Sequence, residues 1–184
     1  MDRDHFAAKI GKLGFHKSIV KPNEKGKIII TYNTNKKNDW NFLVDYLNLS
    51  INGKKDPKYR ITVTATIEED YTNLTQKQLD VAPKIKVDKK TIDFGMVKTG
   101  KKLEFIYKFK NEGKSDLILR KIECSCPCTI VTTSDKSLKA GRIGKLKISF
   151  DTQGQSGKQN KAITITTNDP TSRRVIIYLN GNVN

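Results

Sequence analysis

Residues Lys21–Thr34 read KPNEKGKIIITYNT, and Lys139–Thr152, 118 positions further on, read KAGRIGKLKISFDT. The stretches align without a gap. In each, a turn glycine, Gly26 or Gly144, leads into a run whose alternate residues are apolar: Ile28, Ile30 and Tyr32 in the first, Leu146, Ile148 and Phe150 in the second. A period of two marks a strand with one buried face, so the chain uses one β unit twice. The correspondence resumes at a spacing of 116, where Leu47, Leu49, Ile51 and Asn52 align with Ile163, Ile165, Thr167 and Asn168. At the same spacing Ile61, Val63, Ala65 and Ile67 fall on Ile177, Leu179, Gly181 and Val183. Copy 1 is two residues longer in the intervening hairpin, where Trp40, Phe42 and Tyr46 form the densest aromatic group. Trp40 is expected to cover the end of the core. All three are candidate partner contacts, because amphipathic aromatics on a loop tip are favoured interface anchors.

The repeat divides the 184 residues into an incomplete sandwich repeat over 1–70, a linker with a short helix over 71–83, and a complete sandwich domain over 84–184. Eight short strands are predicted in the last, from Lys84–Val87 to Arg174–Asn180, separated by turn signals such as Asn111-Glu112-Gly113 and Asn168-Asp169-Pro170. That density of strands, without strand–helix alternation, predicts an all-β tandem of immunoglobulin-like sandwiches. In the linker, Thr75-Gln76-Lys77-Gln78 has capping-box spacing, Leu74, Leu79 and Val81 supply something to bury, and Pro83 stops the helix. Copy 1 has no counterpart of Lys84–Ile118, so the first lobe is expected to be incomplete or truncated and to expose an unpaired edge. A strand-donating partner for residues 1–70 follows as an expectation.

The formal charge of +16 is distributed as +4 over residues 1–70, zero over 71–83 and +12 over 84–184. Such a field draws a domain towards anionic glycan or lipid surfaces. Alternating lysines such as Lys108, Lys110, Lys145 and Lys147 also line the wet side of strands and discourage edge pairing. Helix-turn-helix, zinc-finger, RRM and KH patterns are missing and no aromatics cluster among the lysines, so nucleic acid is not expected as a partner. No apolar run is long enough to span a bilayer, and the first twenty residues carry no signal-peptide pattern, so a soluble chain is expected.

Cys124, Cys126 and Cys128 are the only thiols. If the segment is one extended strand, the three share a face, and soft sulfur suits zinc or copper(I). A zinc site wants a fourth ligand and usually CxxC spacing, whereas His5 and His16 both lie in the other repeat. Closing Cys126 to Cys128 as a disulfide requires Pro127 to bend the chain sharply. In the repeat the cysteines fall on Phe6, Ala8 and Ile10, all apolar, which favours buried structural thiols over an exchangeable disulfide or a metal site. Asp93-Phe94-Gly95 spells a kinase metal-binding triplet without the accompanying motifs, so it reads as structure: Phe94 alternates with Ile92 towards the core and Gly95 fits a bend or a bulge. No acid–base or nucleophile constellation is visible, so neither catalytic residues nor a cofactor are expected.

Several phrases together resemble a bacterial family of unknown function, common in exported proteins of Bacteroidetes type, whose domains are similar to Hydin-type ASH domains. They are Ile92–Gly100 (IDFGMVKTG), Phe109–Leu117 (FKNEGKSDL), Ser125–Thr129 (SCPCT), Lys139–Gly141 and Asn160–Thr164. The family usually has C-G-C-T where this chain has Pro127. The resemblance implies a sandwich fold and a periplasmic or cell-envelope location, with another envelope protein as a further class of partner. The expected function is a non-enzymatic structural or binding module. The alternative is a thiol-dependent redox or copper- or zinc-handling protein using Cys124, Cys126 and Cys128.

Overall fold

The computed structural model describes residues 12–15, 20–21, 23–34, 37 and 39–184. The chain divides into two compact units, Met1–Glu68 and Glu69–Asn184. In the first, β1 (Lys12–Phe15) pairs antiparallel with β2 (Ile28–Thr31), and β3 (Asn41–Ile51) pairs antiparallel with β4 (Lys54–Ile67). Asn52 and Gly53, at φ 50° and 75°, close the β3–β4 hairpin in two residues, the left-handed pair that matches strand twist.

The second unit opens with α1 (Gln76–Val81), capped by Thr75 and Gln78 in the reciprocal box its sequence announces. The helix has no fully buried residue: Leu79, and Leu74 ahead of it, are half-buried, while Val81, expected to be covered, is 47% exposed. Its anchor lies just beyond, in the buried pair Ala82-Pro83. There the Ser115 hydroxyl donates to the Val81 carbonyl at 2.6 Å and the Lys114 amide to that of Ala82 at 3.3 Å.

Nine strands follow: β5 (Ile85–Val87), β6 (Thr91–Val97), β7 (Lys102–Asn111), β8 (Leu117–Cys124), β9 (Thr129–Thr132), β10 (Ser137–Leu138), β11 (Ile143–Asp151), β12 (Gly157–Thr167) and β13 (Arg174–Val183). They form a five-stranded sheet, β10-β8-β12-β13-β6, and a four-stranded sheet, β5-β7-β11-β9. Every described pairing in the unit is antiparallel except β13 with β6. Alternate residues of both sheets face inward and build the core from Phe109, Leu117, Leu146, Ile148, Phe150, Ile163, Ile165, Ile177, Leu179 and Val183, all at most 2% exposed. This is an immunoglobulin-like β-sandwich.

Strand registers in the two units are related by the offsets seen in the sequence. Lys12↔Thr31 and Leu13↔Ile30 become Ile130↔Ser149 and Val131↔Ile148 when 118 is added to each number. Asn41↔Ile67, Leu43↔Ala65 and Leu47↔Ile61 become Gly157↔Val183, Gln159↔Gly181 and Ile163↔Ile177 when 116 is added. Thus β1, β2, β3 and β4 repeat β9, β11, β12 and β13. Among the described residues, no strand of the first unit repeats β5, β6, β7, β8 or β10.

Buried polar groups pin the ends of the sandwich. Asn111, fully buried, donates from Nδ2 to the carbonyls of Ser115 (2.8 Å) and Leu138 (2.9 Å) and accepts at Oδ1 from the amides of Gly113 (3.0 Å) and Lys84 (3.3 Å). Asp169, 1% exposed, accepts from the Ile85 amide at 2.9 Å and from the Thr171 amide and hydroxyl at 2.8 and 2.7 Å. Both are therefore satisfied, as buried polar groups must be.

Candidate functional site

The cysteines are the first test. Strand β8 ends at Cys124, the chain bends through Ser125–Cys128, and Cys126 and Cys128 are joined in a disulfide with Cα atoms 5.3 Å apart. This corrects the expectation of three buried thiols on one strand face: the bend supplies the Cα approach that an extended strand cannot. Thr129 follows at 4% exposure, its hydroxyl 3.4 Å from the Cys126 sulfur. Cys124 alone remains a thiol, packed against the core, and burial raises its pKa above the usual thiol value. A protonated, half-buried thiol is a poor nucleophile. Two sulfurs of the candidate metal set are thus bonded to each other, and no group of three His, Cys, Asp or Glu suited to a metal occurs among the described residues. Phe6, Ala8, Ile10, His5 and His16 lie outside those residues.

Asp93-Phe94-Gly95 is a β-bulge. Asp93 pairs with Asn180 and Met96 with Asn182, so β6 carries an extra residue opposite Gly181. Gly95 sits at φ 68° and donates its amide to Asp93 Oδ1 at 2.8 Å, an arrangement that suits glycine. The Phe94 ring occupies the place of a side chain on Gly181: a Cβ there would lie 2.3 Å from Cε2. The ring packs with Phe150, centroids 5.4 Å apart.

Of the aromatic candidates, the structure brings Phe42 and Tyr46 together and sets Trp40 apart. Phe42, Val44 and Tyr46 stand on the outward face of β3, 63%, 40% and 50% exposed, beside Thr66, Thr64 and Thr62 of β4. The Arg60 guanidinium lies 4.3 Å from the centre of the Tyr46 ring, a cation–π contact. Trp40 is half-buried just ahead of the strand, where Asn41 at φ 69° breaks the alternation. On the inward face Asp45 accepts from the Tyr32 hydroxyl at 2.7 Å and from Lys37 Nζ at 2.6 Å. Burial, this hydrogen bond and the negative charges of Asp45 and Asp39 push the Tyr32 pKa up to about 12.

The most distinctive surface of the second unit was legible only as a lysine alternation. Across the outward face of the four-stranded sheet, Lys145 stands directly opposite Lys108, Ile143 opposite Lys110, and Lys110 opposite Lys86. Lys147 is bound to Glu104 at 3.1 Å and Lys110 to Glu112 at 3.6 Å. The ammonium groups of Lys86, Lys108 and Lys145 form no salt bridge among the described residues, although the Lys145 amide donates to Asp135 Oδ2 at 2.9 Å and Asp88 and Glu112 line a hollow with Lys86 and Lys108. Like charges directly opposite on a sheet are unfavourable. Ile106, Ile130 and Ile143 rise between them, 61%, 60% and 59% exposed. Around the sheet edge Lys86 also lines a groove of about 490 Å³ with Lys90, Arg174, Ile176 and Tyr178. Missing from the sequence reading were these isoleucines, whose outward direction depends on the register of β7 against β11.

Among solved structures, a protein of unknown function from Porphyromonas gingivalis W83 superposes with a TM-score of 0.61 at 16% identity, over 95% of this chain and 83% of that one. At that identity the likeness shows the fold alone. Weaker matches are the secreted serine protease VesC of Vibrio cholerae (TM-score 0.42, 14% identity, 58% of this chain and 24% of that one) and an ASH/PapD-like domain of human CEP192 (0.40, 15%, 65% and 96%). No curated protein matches the sequence. The family model described as protein of unknown function (DUF1573) matches residues 85–183, from the first strand of the sandwich to its last, and the chain belongs to that family.

Proposed function

We propose that this protein is a non-enzymatic binding module of the bacterial cell envelope that seats the lysine face of its second unit on an anionic lipid surface. The observation that carries the reading is the directly opposed pair Lys108 and Lys145, whose ammonium groups form no salt bridge, with Lys86 on the same face and exposed Ile106, Ile130 and Ile143 between them. Cations relieve their mutual repulsion against lipid phosphates, and the isoleucines enter the apolar boundary beneath. The Cys126–Cys128 disulfide supports an exported location, because such bonds persist in oxidising compartments and are rare in the cytosol.

Cosedimentation of the full chain with phosphatidylglycerol-containing vesicles tests it. Binding is expected at low salt, to fall as screening rises, and to be lost in Lys108→Glu/Lys145→Glu. Equal binding to pure phosphatidylcholine, or binding indifferent to salt, refutes the reading. Binding to an acidic polysaccharide but not to vesicles reassigns the face to glycans.

The disulfide also favours a second reading, thiol–disulfide exchange, in which Cys126 and Cys128 take two electrons and two protons from a dithiol donor. Mixing the chain with a reduced dithiol protein, quenching with an alkylating agent and locating the label by mass spectrometry distinguishes it: exchange moves two labels from the donor to Cys126 and Cys128. An inert bond eliminates it.

A further inference from the structure

The second unit shows what the first leaves open. There, β13 is flanked by β12 and, in parallel, by β6. In the first unit β4 holds the position of β13 in the same register against its hairpin partner, yet among the described residues it pairs with β3 alone. Burial records the difference: Ile177, Leu179 and Val183 are 0%, 0% and 2% exposed, whereas their counterparts Ile61, Val63 and Ile67 are only half-buried.

The edge is also unguarded where it matters. Natural edge strands are blunted by lysines and prolines. In β4 these residues, Lys54, Lys55, Pro57, Lys58 and Arg60, are confined to the first half. The second half, Ile61–Ile67 (ITVTATI), has neither charge nor proline and is rich in β-branched residues. The amide of Tyr178 in β13 donates to the carbonyl of Lys90, just before β6, at 2.8 Å, and that of Asn184, just after β13, to Val97 at the end of β6 at 2.9 Å. Even-numbered residues therefore face the neighbour, and the spacing of 116 transfers that direction to Thr62, Thr64 and Thr66.

We propose that β4 accepts an extended segment of a partner chain, parallel to Ile61–Ile67, and that Ala65 dictates a small residue at one position of that segment. In the second unit Phe94 lies over Gly181, with ring atoms 2.3 and 2.4 Å from where a Cβ would be. Ala65, the counterpart of Gly181, carries that Cβ, so a phenylalanine in the matching place meets a methyl group where its ring should lie. The occupant thus follows the alternation of Ile92-Asp93-Phe94 with alanine, glycine or serine in third place. Main-chain bonds to the Thr62, Thr64 and Thr66 backbone supply affinity and the Ala65 step supplies selection. The inference rests on the binding-module reading and adds to it a partner for a different surface.

Two synthetic peptides test it on the full chain: one with the sequence of Lys89–Thr99, the other identical but for Phe94→Ala. Hydrogen exchange is followed at single amides. The alanine peptide is expected to protect Thr62, Thr64 and Thr66 and to bind tighter than the phenylalanine peptide by about tenfold or more. Ala65→Gly in the protein is expected to bring the phenylalanine peptide level. The peptide comparison stands even if that variant folds poorly. Failure of both peptides to protect these amides, or equal binding of both to the unaltered chain, overturns the proposal. Vesicle binding measured on the same preparation is independent: its retention without peptide protection refutes strand addition and leaves the lysine face standing, and the opposite pattern supports strand addition against the lipid reading.

Discussion

Replacing Asn111 tests whether the sandwich is closed by hydrogen bonds or by packing. The side chain is completely buried and makes four bonds, two donated and two accepted, tying the end of β7 to the β7–β8 turn, to Leu138 and to the entrance of β5. A net hydrogen bond contributes about 1 kcal/mol, and a buried group left without its partner costs about 1–3 kcal/mol. Asn111→Ala strands two carbonyls and two amides at once; with water reaching the more exposed of them, the loss is about 3–5 kcal/mol. Asn111→Asp keeps the shape but aims carboxylate oxygen where Nδ2 donated to Ser115 and Leu138, so it is expected to rescue nothing. Urea titration followed by circular dichroism reads the strands of both units, while fluorescence of Trp40, the single tryptophan, reads the first alone. The expected result is a lower midpoint in the circular dichroism at unchanged slope, with the Trp40 transition unmoved. Asparagine replaced by aspartate without loss, or a loss below about 1 kcal/mol for Asn111→Ala, refutes the reasoning.

Reducing Cys126–Cys128 is expected to leave the second unit folded. A loop closed over a sequence separation of 2 removes little chain entropy, about 1.6 kcal/mol by the loop-closure relation, so collapse of the fold on adding a reductant sinks that account. Gly181→Ala drives a Cβ into the Phe94 ring and the Gly95 carbonyl and is expected to cost about 1–3 kcal/mol; because Phe94→Ala removes most of the obstacle, the two losses measured by denaturation should be less than additive. Tyr32, with its pKa pushed up to about 12, holds its proton in the folded first unit above the ordinary value of 10 at which the unfolded chain releases it. Stability of that unit is therefore independent of this group below pH 10 and falls as pH rises from 10 towards 12. Trp40 fluorescence should show the fall, and Tyr32→Phe should flatten it.

The matching registers were legible because side-chain alternation marks strands: Leu146, Ile148 and Phe150 against Ile28, Ile30 and Tyr32 located paired strands in both units. Strand limits were legible within the second unit to a few residues, and the capping box of α1 outright. What failed shares one cause, a local departure from extended geometry. The cysteines were read as a single strand, but the backbone bends after Cys124 and brings Cys126 to Cys128. Trp40 seemed to share the fate of Phe42 and Tyr46 until Asn41 at φ 69° took it off their face. The two-residue β10 left no period at all. The lysine face needed strand order, since which lysines meet across β7 and β11 depends on a pairing that composition does not encode.

The parallel seam between β6 and β13 sets the order in which the second unit is built. Hairpins such as β12–β13 close over a handful of residues and form in microseconds. Thr91 must wait for Tyr178, at the far end of the unit, before β6 can dock, and the entropy of that long loop is spent before any contact returns it. Until that contact forms, β6 is without its neighbour, so its docking is expected to be a late step in folding. During that interval β6 of one molecule meets two open edges, its own β13 and the β4 of a neighbour. Because Ala65 carries the Cβ that Gly181 lacks beneath the Phe94 ring, exchange of β6 between chains is expected to be disfavoured at that position.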